Sequence, residues 1–309
     1  MEEGFELWRV AVLGSGPSEG IPRVSCITRP APSCRACVDS LRPHSKNRRR
    51  NTSLLLTLRR RQCGESWSEG EEKNILIDCG KFFWEGAIEW FPLLGVRSID
   101  AVILTHDHFD AAGGLDNLRD WTMPPLCLQQ TVPVYVRDED KAGIAAAFPY
   151  LVEPSLSTGG GAVPALSFSS IADYVQFQIF GLSFLPVPIE HGRTTALAFA
   201  FDRFCYASDV KEVSDLAFAA LPSSPSFLFV DCLREVEQSS HLSLSESVDL
   251  AGRMKAKRTF LIGIGHELCH DEVKAKLRHT SISPSFDGMI LTKNEGGEWK
   301  EGDARESGR

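Results

Sequence analysis

The amino-acid sequence predicts a mixed α/β fold in which two sheets are covered by helices. Short apolar, β-branched runs recur through both halves of the 309-residue chain. Helical patterns separate only some of them, which suits two sheets better than one regular βαβ array. Several of the runs also end directly on histidine or aspartate.

In chain order the expected strands are Leu7–Leu13, Ser53–Leu58, Asn74–Asp78, Asp100–Leu104, Val132–Val136, Tyr174–Phe180, Ser183–Val187, Ala196–Phe201, Phe227–Asp231, Thr259–Ile264 and Gly288–Leu291. Each is short and rich in the residues that pack well on a pleated surface. Asp138–Phe148 is Ala-rich behind an Asp and predicts a helix. Ser243–Lys257 predicts another, because Ser243 and Glu246 form a capping box that satisfies first-turn amides. Asp271–His279 predicts a third, with Val273 and Leu277 on one face. Arg59–Lys73 is polar and reads as a long hairpin excursion, and Glu153–Ala165 is rich in Gly, Pro and Ser and reads as a surface loop. Arg48–Arg50 and Arg59–Arg61 read as solvated basic surface. The chain is therefore expected to form one domain over 1–293, followed by a frayed polar tail over 294–309.

Hydrophobic residues make up 43% and charged residues 24%, an ordinary globular balance. The net charge of −8 makes a poor partner for duplex nucleic acid but does not exclude a small anionic substrate, since a local metal outweighs a distant net charge. No run is long and apolar enough to span a membrane, and no signal-peptide order opens the chain. Nine cysteines, an odd number spread along the sequence, point to a reducing, cytoplasmic compartment rather than a disulfide framework.

The chemistry concentrates after Ile99–Leu104. His106, His108 and Asp110 follow at alternate positions, so they project to one side of an extended segment just past a strand end. Neutral imidazoles with a carboxylate suit a divalent transition ion. Gly113 and Gly114 then allow a tight turn. His191 and Asp209 stand at similar strand-end places. Cys26, Cys34 and Cys37 form a separate C-x7-C-x2-C cluster, whose last pair can face one ion. His266-Glu-Leu-Cys-His270 matches the H-E-x-x-H protease pattern, but that pattern needs a helix and the preceding run is β-like.

The segments Asn74-Ile-Leu-Ile-Asp-Cys-Gly, Leu104-Thr-His-Asp-His-Phe-Asp, His191-Gly and Tyr206-Ala-Ser-Asp together resemble the metallo-β-lactamase superfamily. The resemblance covers about residues 8 to 292. It is strongest to the branch holding the phosphoribosyl cyclic phosphodiesterase of phosphonate breakdown, through Leu13-Gly-Ser-Gly-Pro-Ser-Glu-Gly-Ile-Pro and the cysteines after it. It implies a four-layered αββα sandwich. It implies that His106, His108 and His191 hold one metal, that Asp209 bridges toward a second, and that Asp110 belongs to that second position. It also implies that Asp78 is a buried support and that His241 is a general acid or base. Cys26, Cys34, Cys37 and His266 become a closed structural zinc site.

Two departures accompany the resemblance. Ala111 stands where the family run His-x-His-x-Asp-His ends, and Gly263 stands where the branch has the first His of Thr-His-x-x-His. The expected cofactors are therefore a structural Zn and one or two Zn or Mn ions at the active site. The expected function is hydrolysis of a small, even cyclic, phosphodiester by water that the metal brings to a pKa near ~7. The alternatives are an ester, lactone or thioester hydrolase and a catalytically impaired metal- or ligand-binding homologue. A small anionic molecule is the expected partner, with a homodimer as an option.

Overall fold

The strand-forming runs pair into two sheets in the computed structural model, which describes residues 4–61, 67–159 and 161–307. The chain divides into two compact units. One comprises Met1–Leu13, Ser53–Phe184 and Gly288–Arg309, and the other Gly14–Thr52 and Leu185–Asp287.

The first unit is organised on an 8-stranded sheet. Its order is Trp299–Asp303, Met289–Lys293, Phe5–Gly14, Ser53–Arg61, Trp67–Ile77, Ala101–Ile103, Val132–Val136 and Leu166–Ser170. Ala101–Ile103 is flanked by parallel partners on both sides and is buried throughout, as its continuous apolar run requires. Its C-terminal end therefore opens at Thr105–Asp110. The sheet packs Leu55, Leu76, Val102 and Val134 against Trp90 and Phe91 of the helix Phe83–Leu94. That helix ends at Gly95, whose φ of 67° is the left-handed conformation glycine adopts at helix C-termini. No sequence signal marked this helix, because Gly86 and Pro92 interrupt its pattern.

Several expectations change here. Within the described part of the expected tail, residues 294–307 are not frayed: Trp299–Asp303 pairs antiparallel with Met289–Lys293, and Ala304 is fully buried beyond it, while residues 308–309 lie outside the described residues. This strand lies at the sheet edge, where Lys300 and Glu301 are exposed to water. Arg59–Lys73 is largely strand on both arms, Ser53–Arg61 and Trp67–Ile77, and Cys63 lies outside the described residues. Asp138–Ala147 is helical as predicted, but Arg137 rather than Asp138 occupies the cap position.

The second sheet has 7 strands in the order Ile282–Pro284, Arg258–Ile262, Phe227–Asp231, Phe204–Ala207, Thr194–Phe201, Leu182–His191 and Phe177–Ile179. Phe204–Ala207, Phe227–Asp231 and Arg258–Ile262 run parallel. Their C-terminal ends thus lie side by side, the place where open α/β sheets present ligand-binding groups. Stacked rings line this sheet, with Phe204 and Phe227 centroids 4.8 Å apart.

In the second unit Arg49 and Arg50 are buried, against the reading of a solvated basic run; only Arg48 is exposed. Arg49 donates to the carbonyls of Ile264, Gly265 and Leu268 and to Asn47 Oδ1 at 2.9–3.2 Å. One guanidinium thereby ties the N-terminal segment to the turn carrying His266. Asp287 accepts from Ser15 N and Oγ and from Arg50 N at 2.8–2.9 Å. Arg49→Met would strand three buried carbonyls, each costing about 1–3 kcal/mol. We expect at least ~3 kcal/mol of lost stability in denaturant titration.

Candidate metal centres

In the first unit His106 and His108 follow Ala101–Ile103 on a non-helical segment, but Asp110 lies within the short helix Phe109–Ala112 and not on the extended run that the alternation required. The His106 and His108 rings meet edge to face, with centroids 4.5 Å apart. Asp107 turns the other way, toward the helix Asp138–Ala147. A Cβ on Gly143 of that helix would lie 1.7 Å from Asp107 Oδ2. His106 is buried and its orientation is fixed by a relay. Asp78 Oδ1 accepts from Thr105 N and from Thr105 Oγ1, both at 2.9 Å. With its proton engaged, the Thr105 hydroxyl accepts from His106 Nδ1 at 2.8 Å. That assigns the proton to Nδ1 and leaves Nε2 as the basic nitrogen, the arrangement common for a metal-binding histidine. Thr105→Val should therefore weaken metal affinity by about 10-fold or more, read by competition with a chelating dye. Gly114 is needed for close approach, since a Cβ there would sit 2.2 Å from the Gly80 carbonyl.

In the second unit His191, Asp209 and His241 offer ligand-type atoms that all lie within 4.8 Å of one another. His191 Nδ1 donates to the Ser240 carbonyl at 2.8 Å, again leaving Nε2 basic. His241 Nδ1 lies 2.8 Å from Asp231 Oδ2 and 3.9 Å from Asp209 Oδ1. Asp231 is fully buried, and burial pushes its carboxyl up to about 6 against the opposing pull of His241. Sequence reasoning missed Asp231 as a site residue. Its signal was the same as for the others, a carboxylate ending an apolar strand.

The positions of the two departures are filled by other groups. Ala111 is buried and its carbonyl accepts from Cys79 N at 2.7 Å. Gly263 has a φ of +66°, and a Cβ there would come 2.7 Å from Asp231 Oδ1. A histidine at this position meets both backbone strain and a buried carboxylate. Gly263→His should lower stability by about 1–3 kcal/mol without raising metal content, measured by thermal melting and elemental analysis. Neither Asp110 nor His270 joins a donor group among the described residues.

Also in the second unit, Cys26, Cys34, Cys37 and His266 bring their donor atoms within 4.8 Å of one another. His266 Nδ1 stands 3.5 Å from Cys26 Sγ and 3.3 Å from Cys34 Sγ. Tetrahedral zinc with Zn–S bonds of about 2.3 Å needs donors about 3.7 Å apart, so this set fits that ion. Burial and the neighbouring thiols push Cys37 up to about 12, and a bound cation reverses that.

His266 to Cys269 form a turn, and the helix begins only at His270. The H-E-x-x-H pattern is therefore not helical. His270 packs edge to face on Phe286, its backbone N–H bonds to Asn47 Oδ1 at 2.8 Å, and its Nδ1 is buried without a hydrogen-bond partner. Burial, reinforced by Arg49, pushes its pKa down to about 3. The unfolded chain binds this proton below about pH 6.5. Stability is therefore present above that value and lost as pH falls toward about 3. His270→Gln should flatten the decline in melting temperature between those limits.

The chain belongs to the family described as the beta-lactamase superfamily domain, whose profile matches residues 73–264, well over half of its length. With its two sheets and helices it has the metallo-β-lactamase fold. It is similar over 93% of its length, at 27% identity and a TM-score of 0.73, to a crystal structure of a new diphosphatase from the PhnP family, of which it covers 98%. Zn(2+)-bound PqqB from Methylobacterium extorquens shares the fold, with a TM-score of 0.66 over 92% of this chain and 99% of that one, at 16% identity. An octanoyltransferase of Porphyromonas gingivalis (strain ATCC BAA-308 / W83) is 29% identical over 290 residues, 94% of this chain and 52% of that protein. The chain thus spans about half the length of the curated relative it matches. No described helix is long and apolar enough to cross a membrane.

Proposed function

We propose that the protein is a metal-dependent phosphodiesterase acting on a small phosphodiester, cyclic ones included. In this reading His106, His108, His191 and Asp209 hold one Zn or Mn ion, and Cys26, Cys34, Cys37 and His266 hold a structural Zn. In the same reading Asp110 belongs to a second metal position depleted by Ala111 and Gly263. When bound, the catalytic ion supplies Lewis acidity and an activated water.

The observation that carries the proposal is the His241–Asp231 pair beside His191 and Asp209. Asp231 takes Nδ1 of His241, which directs Nε2 and its proton away from the buried carboxylate. As the P–O bond to the leaving group breaks, that proton passes to the leaving alkoxide oxygen. The similarity to a diphosphatase supports phosphorus over carbon chemistry. The name of the Porphyromonas relative motivates a second reading, hydrolysis of an ester, lactone or thioester.

Paired assays separate these readings. The purified protein with added Zn or Mn should hydrolyse an aryl phosphodiester or a 2′,3′-cyclic nucleotide and leave acyl thioesters intact. Thioester turnover alone would replace the first reading with the second. No turnover of either with metal bound would make the chain a binding homologue, as Ala111 and Gly263 would then suggest.

A further inference from the structure

Apart from the metal-ligand residues, the first unit carries a cavity of about 660 Å³ formed against the helix Phe83–Leu94 and the segment Arg119–Leu128. That volume lies in the range of small-molecule sites, about 300–1,000 Å³. The walls are apolar and built before any ligand arrives. Trp121 is fixed by an N–H bond from its indole to the Arg97 carbonyl at 3.0 Å. Its ring also packs against Phe83 and Phe91, with centroids 5.9 and 6.0 Å away. Facing it, Trp84, Ile88 and Leu126 are 50%, 57% and 72% exposed, unusual for such large apolar groups in one place. None of these residues belongs to the metal centres.

The rim decides the ligand. Arg119 is already engaged, with Asp116 and with the Ala162 carbonyl. Arg97 lines the cavity, is exposed, and has no side-chain partner among the described residues. Asp120 is the other charged lining group. We propose that this cavity binds an amphipathic carboxylate of the alkanoate class. The alkyl chain lies on Trp84, Ile88 and Leu126, and the carboxylate pairs with Arg97. An extended apolar wall with one open cation at its edge complements such a molecule in shape and charge.

Calorimetric titration of the full chain with hexanoate, octanoate and decanoate below their micelle concentrations tests this, with alkyl alcohols of equal length as controls. Affinity should rise about fourfold per added methylene until the cavity is filled. The carboxylates should bind about two- to fivefold tighter than the alcohols, the range of an exposed ion pair. Arg97→Gln should remove that preference and keep the chain-length dependence. Asp120→Asn should strengthen carboxylate binding, because it removes a like charge from the rim. Ile88→Glu and, in a separate element, Leu126→Asp should each reduce binding at least tenfold while leaving the circular dichroism unchanged. Binding that ignores chain length, or that survives both apolar-to-charged variants, would overturn the proposal. So would a dimer in light scattering that either variant converts to monomer, since a second copy would then cover this face.

Discussion

Replacing His241 by alanine is expected to lower phosphodiester turnover by about 10²- to 10⁴-fold, the usual contribution of a positioned general acid. The expectation follows from geometry. His241 is partly exposed, its Nδ1 is 2.8 Å from a fully buried carboxylate, and its ring meets His191 edge to face with centroids 4.7 Å apart. Because His241 also stands within ligand distance of His191 and Asp209, metal content must be measured on the same preparation. A proton donor leaves the metal count unchanged when removed, whereas a ligand takes the ion with it. Asp231→Asn sharpens the distinction. It keeps the size of the side chain but replaces the carboxylate that stabilises the imidazolium with an amide that can donate to Nδ1, holding the ring neutral with its only proton on Nε2 and making it a much weaker acid. The variant should fold, retain its metal, and lose the limb of the pH–rate profile that reports the acid. An unchanged profile would return Asp231 to a purely structural role.

Removing the zinc proposed for Cys26, Cys34, Cys37 and His266 is expected to have the largest effect on stability. Cys37 is fully buried, and the four donors of the cluster converge from two stretches of chain more than two hundred residues apart. Structural zinc in small domains contributes roughly 10 kcal/mol or more to folding, and any sizeable share of that is large against the total for a domain. Cys37→Ser should lose one zinc per chain and lower the melting temperature by roughly 2 °C or more per kcal/mol. The Arg49 bonds to Ile264, Gly265 and Leu268 also hold the turn that carries His266. The loss is therefore expected to loosen that turn while leaving the first unit's sheet intact, which hydrogen exchange can resolve. An unaltered melting temperature with zinc removed would reduce the cluster to an incidental group of thiols.

The sheets were legible wherever apolar runs were short and bounded by turn residues. His106, His191, Asp209 and Asp231 all sit at the ends of such runs, because strand termini free the backbone to turn and expose a polar side chain. The capping box of Ser243 and Glu246 was also legible, since it is written in local hydrogen-bond chemistry. The helix Phe83–Leu94 was not, because Gly86 and Pro92 hide its period and its helical state depends on packing Trp90 and Phe91 against the sheet. The strand Trp299–Asp303 was missed for a related reason: an edge strand needs few apolar residues, so its composition imitates a tail. The burial of Arg49 could not be read from a run of three arginines, as the carbonyls that receive it come from a distant turn. The effect of Gly263 likewise depends on Asp231, a neighbour only through the parallel pairing of Phe227–Asp231 with Arg258–Ile262.

The reading of one catalytic ion, one structural zinc and a depleted second catalytic position is tested most directly by metal stoichiometry combined with the anomalous signal of each bound ion. Two ions per chain are predicted, one on His106, His108, His191 and Asp209 and one on Cys26, Cys34, Cys37 and His266. A third ion beside Ala111 and Gly263, or a single ion confined to the cysteines, would contradict it.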